Sequence, residues 1–278
     1  ATPACRMSLQ RDEIVGFKLP ARLEGVLFDM DGTLSDSETL HFEAYKAVFA
    51  QMLPDHPSNP VSRSFYDANM GGKTKVGALT TLIPDSTGEQ IEDICTALED
   101  EFSRLAKSRL RPLPGLVSLL DLLQREGVRC GVVTNAPPTE LSFGLHCLGL
   151  TPRFQVLVPS VECEHPKPHP APYTEGMRRL GLNSQNAIAF EDSTAGVKSA
   201  VAAGLVTIGI MTSRSAEELA ECGAAMAISD FDDVALLASV RSALSAPSSL
   251  GVAPGVTVSG RSQCTVTALV RGLDTEHQ

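Results

Sequence analysis

Tryptophan is missing altogether from this chain of 278 residues, and aromatic residues make up only 5% of it. No run of about 20 apolar residues occurs, which excludes a membrane-spanning helix. No Cys-x-x-Cys pair occurs either, and the seven cysteines are an odd number. A disulfide framework and a zinc site are therefore set aside, and a reducing compartment fits better. No basic patch stands out, and the net charge is −10. That argues against a nucleic-acid binder. An acidic protein that handled an anion would need local positive charge, from a metal ion or a placed lysine. Residues 1–12 carry Arg6 and Arg11 but no apolar stretch, so they do not read as a secretory signal. What is present is ordinary globular material, 43% hydrophobic and 20% charged. The length suggests one large domain or two unequal ones.

Strong local signals begin at Gly25. Gly25-Val26-Leu27-Phe28 is a short apolar run that reads as a buried strand, and it stops at Asp29-Met30-Asp31-Gly32-Thr33. A helical pattern follows from Ser37 to Phe49. Prolines interrupt residues 50–63. Helical texture resumes from Phe65 to Leu110, broken at Met70-Gly71-Gly72 and Ile83-Pro84. Ile91, Ile94, Cys95, Leu98, Phe102 and Leu105 recur at three- and four-residue spacing, the mark of an amphipathic helix. After Pro112 strands and helices alternate. The strands are expected at Cys130–Val133, Phe154–Val158, Ala187–Phe190, Val206–Ile210 and Ala225–Ile228, and the last helix at Val234–Leu244. Such alternation predicts a parallel sheet covered on both faces. The expected layout is an α/β core, residues 25–36 and 112–245, split by a helical insert at 37–111. An extension at 1–24 precedes it and a tail at 246–278 follows, where 255–259 and 265–269 could pair as a hairpin.

Open α/β sheets bind ligands outside the carboxyl ends of their strands. Asp29 and Asp31 leave the first strand, Thr134 and Asn135 the second, and Glu191 and Asp192 the strand at 187–190. Lys167 lies in the loop beyond Val158. Each alone is an ordinary cap, turn or surface residue. Together they deliver carboxylates, a hydroxyl and an amine to one sheet edge. One carboxylate could attack phosphorus to give an aspartyl-phosphate while another moves a proton. Crowded carboxylates need a hard divalent cation, and oxygen ligands favour Mg²⁺. Lys167 would supply the fixed positive charge.

Four ordered strings resemble the motifs of haloacid dehalogenase superfamily phosphatases. They are Phe28-Asp29-Met30-Asp31-Gly32-Thr33-Leu34, Val132-Val133-Thr134-Asn135, Pro166-Lys167-Pro168-His169-Pro170 and Phe190-Glu191-Asp192-Ser193-Thr194-Ala195-Gly196. The match covers about residues 24–230. It implies a doubly wound, Rossmann-like parallel sheet with an inserted α-helical cap of the β-phosphoglucomutase-like kind. Asp29 would be the nucleophile and Asp31 the acid and base. Thr134 and Lys167 would bind the phosphoryl group, which the Asn135 backbone amide at the same strand exit could also hold. Mg²⁺ would sit on Asp29, the Asp31 carbonyl and Asp192, with Glu191 close by or acting through water.

Val133-Thr134-Asn135-Ala136-Pro137, the segment Glu162–Pro170 and Gly72-Lys73-Thr74 resemble the plant-type sugar-phosphate phosphatases. The substrate implied is a small sugar or polyol phosphate monoester. The location expected is intracellular, cytosol or plastid stroma, and the state monomeric, with no nucleic-acid or membrane partner. From the insert, His41, Lys73 and Lys75 are the candidates for substrate contact. The mutase branch commonly carries arginine there, and the lysines lean the expectation toward hydrolysis. A sugar phosphomutase is the alternative. A non-catalytic phosphate sensor is a further one, which the intact Asp31 argues against.

Overall fold

The structure is a computed structural model and describes residues 18–71 and 74–245. Six strands form one parallel sheet: β1 Gly25–Phe28, β2 Arg129–Thr134, β3 Val156–Pro159, β4 Ala187–Glu191, β5 Val206–Ile210 and β6 Met226–Ile228. Their spatial order is β3-β2-β1-β4-β5-β6. The order reverses direction between β1 and β4, so the crevice of a doubly wound sheet opens outside the ends of those two strands. The register places Phe28 beside both Val132 and Phe190. Every residue of β1 and β4 is buried, as a parallel sheet covered on both faces requires. Phe28 stacks on Phe190 with ring centroids 5.1 Å apart, which anchors the two strands just before their functional exits.

Four helices lie in sequence between β1 and the rest of the core: α1 Ser37–Met52, α2 Arg63–Asn69, α3 Lys75–Leu82 and α4 Gly88–Arg109. The glycine and proline breaks read from the sequence separate them. Helix α4 begins at a capping box, in which Thr87 accepts from the Gln90 amide and the Gln90 side chain accepts from the Thr87 amide. It buries Ile91, Ile94, Leu98 and Leu105, the apolar stripe of the expected helix. Six more helices follow: α5 Leu116–Arg125, α6 Pro138–Leu148, α7 Ala171–Leu180, α8 Thr194–Ala202, α9 Ala216–Glu221 and α10 Val234–Leu244.

Two differences from the sequence reading have local causes. The third strand starts at Val156, two residues later than expected, because Thr151–Arg153 forms a turn of 3₁₀ helix and the Gln155 side chain caps the Cys130 amide at 2.6 Å. The described part of the extension before β1 packs on the core. Leu19 and Leu23 are buried, and the Leu23 amide reaches the carbonyl of Ala243. The hairpin expected at 255–259 and 265–269 lies outside the described residues, as does Lys73. No described helix is long and apolar enough to cross a membrane.

Candidate active site

β1 ends at Phe28 and the chain turns at once. The Asp29 amide donates to the carbonyl of Phe190, so the main chain at Asp29 is locked to the end of β4. At Gly32 φ is +78°, and a Cβ there would lie 2.1 Å from a carboxylate oxygen of Asp192. Glycine is therefore needed twice over, for the backbone and for the close approach of the neighbouring acid. The tight turn brings Ser37 back, and its hydroxyl donates to Asp31 Oδ1 at 2.8 Å.

Lys167 is 6% exposed and makes three contacts with its ammonium. It donates to Asp29 Oδ1 at 2.7 Å, to the Val133 carbonyl at 2.7 Å and to Glu191 Oε1 at 2.6 Å. Burial alone would lower its pKa, but the charges and hydrogen bonds of Asp29 and Glu191 outweigh burial and hold it protonated. Burial pushes Asp29 up to about 7 against the pull of Lys167, and the Glu191 charge adds to the rise. Asp31 is raised by burial against the hydrogen bond from Ser37. Asp192 is raised well above its ordinary value by burial first, then by the charges of Asp29 and Glu191.

Asp29, Glu191 and Asp192 each offer a carboxylate oxygen, and these oxygens lie within 4.8 Å of one another. Buried acids packed this closely, with one lysine between them, form a donor set suited to a hard cation. Glu191 is fully buried and already occupied. Its Oε1 accepts from Lys167 and from the Tyr173 hydroxyl, while Oε2 accepts from Ser193.

A cavity of about 250 Å³ opens over this edge, lined by Asp29, Asp31, Thr134, Asn135, Lys167 and Asp192. Thr134 Oγ1 accepts from the Ala136 amide, and Asn135 Oδ1 accepts from the Lys167 amide, tying the β2 exit to the lysine loop. The lining also includes Glu38, Arg63 and Asp67 from the insert and Arg214 from the loop after β5. Arg63 and Asp67 escaped the sequence reading. Their only signal was an opposite-charge pair at i,i+4, which usually marks a solvated helix face. In the structure Arg63 donates to Asp67 at 2.8 Å and its guanidinium lies over Phe42 and Tyr66. The Tyr66 hydroxyl in turn donates to Glu38 at 2.6 Å.

Two candidates from the insert do not line this cavity. His41 stacks on Phe102, centroids 3.9 Å apart and 4° from parallel, and faces a smaller pocket shared with Asp31 and Glu140. Lys75 donates to Glu140 at 2.7 Å and to Glu99 at 3.5 Å, so its charge is committed to protein carboxylates.

A sequence profile described as haloacid dehalogenase-like hydrolase matches residues 26–210. A phosphorylated carbohydrates phosphatase of Thermotoga maritima is 28% identical over 204 residues, which cover 73% of this chain and 92% of that protein. The validoxylamine A 7'-phosphate phosphatase of Streptomyces hygroscopicus subsp. limoneus is 30% identical over 195 residues, 70% of this chain and 89% of that one. Among solved structures, CbbY from Rhodobacter sphaeroides in complex with phosphate superposes with a TM-score of 0.67 at 26% identity. The superposition covers 79% of this chain and 99% of CbbY.

Proposed function

The chain belongs to the haloacid dehalogenase-like hydrolase family, and from that premise we propose that it is a Mg²⁺-dependent phosphatase of small sugar or polyol phosphate monoesters. The core would be residues 25–36 and 112–245 and the cap residues 37–111. The observation that carries the reading is one cavity at the switch point of the sheet, where Asp29, Asp31, Thr134, Lys167 and Asp192 converge. The relatives named as phosphatases of phosphorylated carbohydrates and of validoxylamine A 7'-phosphate support a small phosphomonoester substrate.

The Asp29 carboxylate attacks phosphorus, and the bond from phosphorus to the alcohol oxygen breaks. Asp31, whose carboxyl is raised by burial and so retains a proton more readily, gives that proton to the leaving oxygen. Asp31 then takes a proton from water as the water attacks the phospho-aspartate, which releases phosphate and restores Asp29. Lys167, the Thr134 hydroxyl and the Asn135 main chain hold the phosphoryl oxygens. The crowded acids fit a divalent cation, with Asp29, Asp192 and the Asp31 carbonyl as its holders and Glu191 serving chiefly as the counter-ion of Lys167. Bound there, Mg²⁺ supplies positive charge to the carboxylates and polarises the phosphoryl oxygens. Elsewhere in the lining Arg63, held by Asp67, and Glu38 offer donors and acceptors to substrate hydroxyls.

A phosphate-release screen over sugar, polyol and nucleotide monophosphates, with and without Mg²⁺, tests the reading. Release from sugar phosphates in Mg²⁺ is expected, with Asp29→Asn folded and inactive. Isomerised sugar phosphate without free phosphate would make the enzyme a mutase. Substantial turnover by Asp29→Asn would sink the covalent route.

A further inference from the structure

Lysine is a flexible residue for a role that needs a fixed charge: four rotatable bonds must be held still. Hydrogen bonds take up all three N–H donors of the Lys167 ammonium, and the ring of Tyr173 lies beside it. Tyr173 lies in the first turn of α7, three residues past the lysine's proline-rich loop, and is fully buried. It sits among Leu27, Val133, Val158 and Met177, a second apolar cluster of the core. The Lys167 Nζ lies 5.0 Å from the centre of its ring. Its hydroxyl donates to Glu191 Oε1 at 2.8 Å, the same oxygen that accepts from Lys167.

One side chain therefore touches both members of the ion pair. Glu191 has little freedom of its own. A Cβ at Gly196 would lie 1.9 Å from its carboxylate, so α8 presses directly on it. Nothing in nucleophile chemistry needs a phenol at this depth, and Tyr173 does not line the substrate cavity. Its polar contacts are instead to Lys167, which donates to the attacking carboxylate, and to the counter-ion of that lysine.

We propose that Tyr173 is a positioning residue, whose hydroxyl on Glu191 and ring beneath Lys167 hold the ammonium where it meets the phosphoryl oxygens. The inference rests on the phosphoryl-binding role given to Lys167 above. Tyr173→Phe keeps the ring and removes the hydroxyl, and Glu191→Gln removes the charge at the other end.

Two readouts are used. Calorimetric binding of inorganic phosphate reports on the lysine whether or not the chain turns over. Phosphate release from a sugar phosphate in Mg²⁺ reports kcat and KM. Tyr173→Phe is expected to bind phosphate about tenfold more weakly and to lose kcat about tenfold, with KM changing less. The Tyr173→Phe/Glu191→Gln double variant should be no worse than Glu191→Gln alone, because the hydroxyl acts through that carboxylate. Phosphate binding by folded Tyr173→Phe as tight as the parent's would overturn the inference, as would losses that simply multiply in the double variant. A parent that binds phosphate but releases none from any monoester would instead overturn the phosphatase reading. In that case the binding comparison still decides the role of Tyr173.

Discussion

His41 shows how one residue can be chemically conspicuous and still be placed by packing. Its ring lies flat on Phe102, and burial holds its pKa below the ordinary 6.5, against the pull of Glu38 and Glu140 and with the push of Lys75. The unfolded chain protonates this histidine near 6.5, whereas the folded chain resists the proton. Protons therefore favour the unfolded state as pH falls. The contribution of neutral His41 is complete above 6.5 and is lost as pH drops through the lowered folded value. His41→Phe keeps the stack and removes the titration. Melting curves of parent and variant should run parallel above about pH 7 and separate toward pH 5, with the parent losing stability faster. Curves parallel down to pH 5 would show that the ring takes up its proton in the folded state. The contrast with Asp29 is instructive. Asp29 is buried against Lys167 at the sheet edge, while the half-buried His41 has a phenyl ring and a small pocket.

At the scale of elements, the pair that matters joins α3 to α6, because Lys75 and Glu140 link the insert to the core across 65 residues of sequence. The side chains are 20% and 35% exposed, so solvent screens the pair and its worth is modest, about 0.5–1 kcal/mol. Lys75→Met and Glu140→Gln should each lower the melting temperature by about 1–4 °C, and the double variant should do little more than either. If Lys75 bound substrate directly, KM would rise in Lys75→Met and stay put in Glu140→Gln. Arg63→Ala is the variant expected to raise KM for sugar phosphates. This division also marks what the sequence could disclose. The sheet, its strand exits and the four helices of the insert were legible, because apolar period, glycine breaks and turn residues are local signals. So were the residues at the strand ends, since a parallel sheet delivers every exit to one edge. Arg63, Asp67 and Tyr173 were not legible. Their roles depend on which neighbour the tertiary packing supplies, and an arginine on a helix or a tyrosine in an apolar stretch carries no mark of that. Lys75 stands out by its place after the glycine-rich break, and what the fold adds is its neighbour: it meets Glu140, while Arg63 lies in the cavity lining.

For the whole molecule, the net charge of −10 concentrates one part of its cost at a single place. Asp29, Glu191 and Asp192 bring carboxylate oxygens within 4.8 Å of one another below the surface. Burial and mutual repulsion raise Asp29 and Asp192 together. Without a cation, folding must force these acids into proximity that the unfolded chain avoids. Replacing Asp192 by asparagine removes one charge from the crowd, so in chelator Asp192→Asn should melt higher than the parent. A divalent cation held by this cluster would bind the folded chain and not the unfolded one, and at a hundredfold excess over its dissociation constant would stabilise it by about 2.7 kcal/mol. Mg²⁺ should therefore raise the parent by several degrees and the variant far less, reversing their order. Sodium chloride at matched ionic strength screens exposed charges but reaches a buried cluster poorly, so it should not reverse the order. Melting both proteins in chelator, in salt and in Mg²⁺ decides the matter. A parent more stable than Asp192→Asn in chelator would mean that Lys167 and the hydrogen bonds already balance the cluster. An equal Mg²⁺ response in both proteins would place the cation elsewhere.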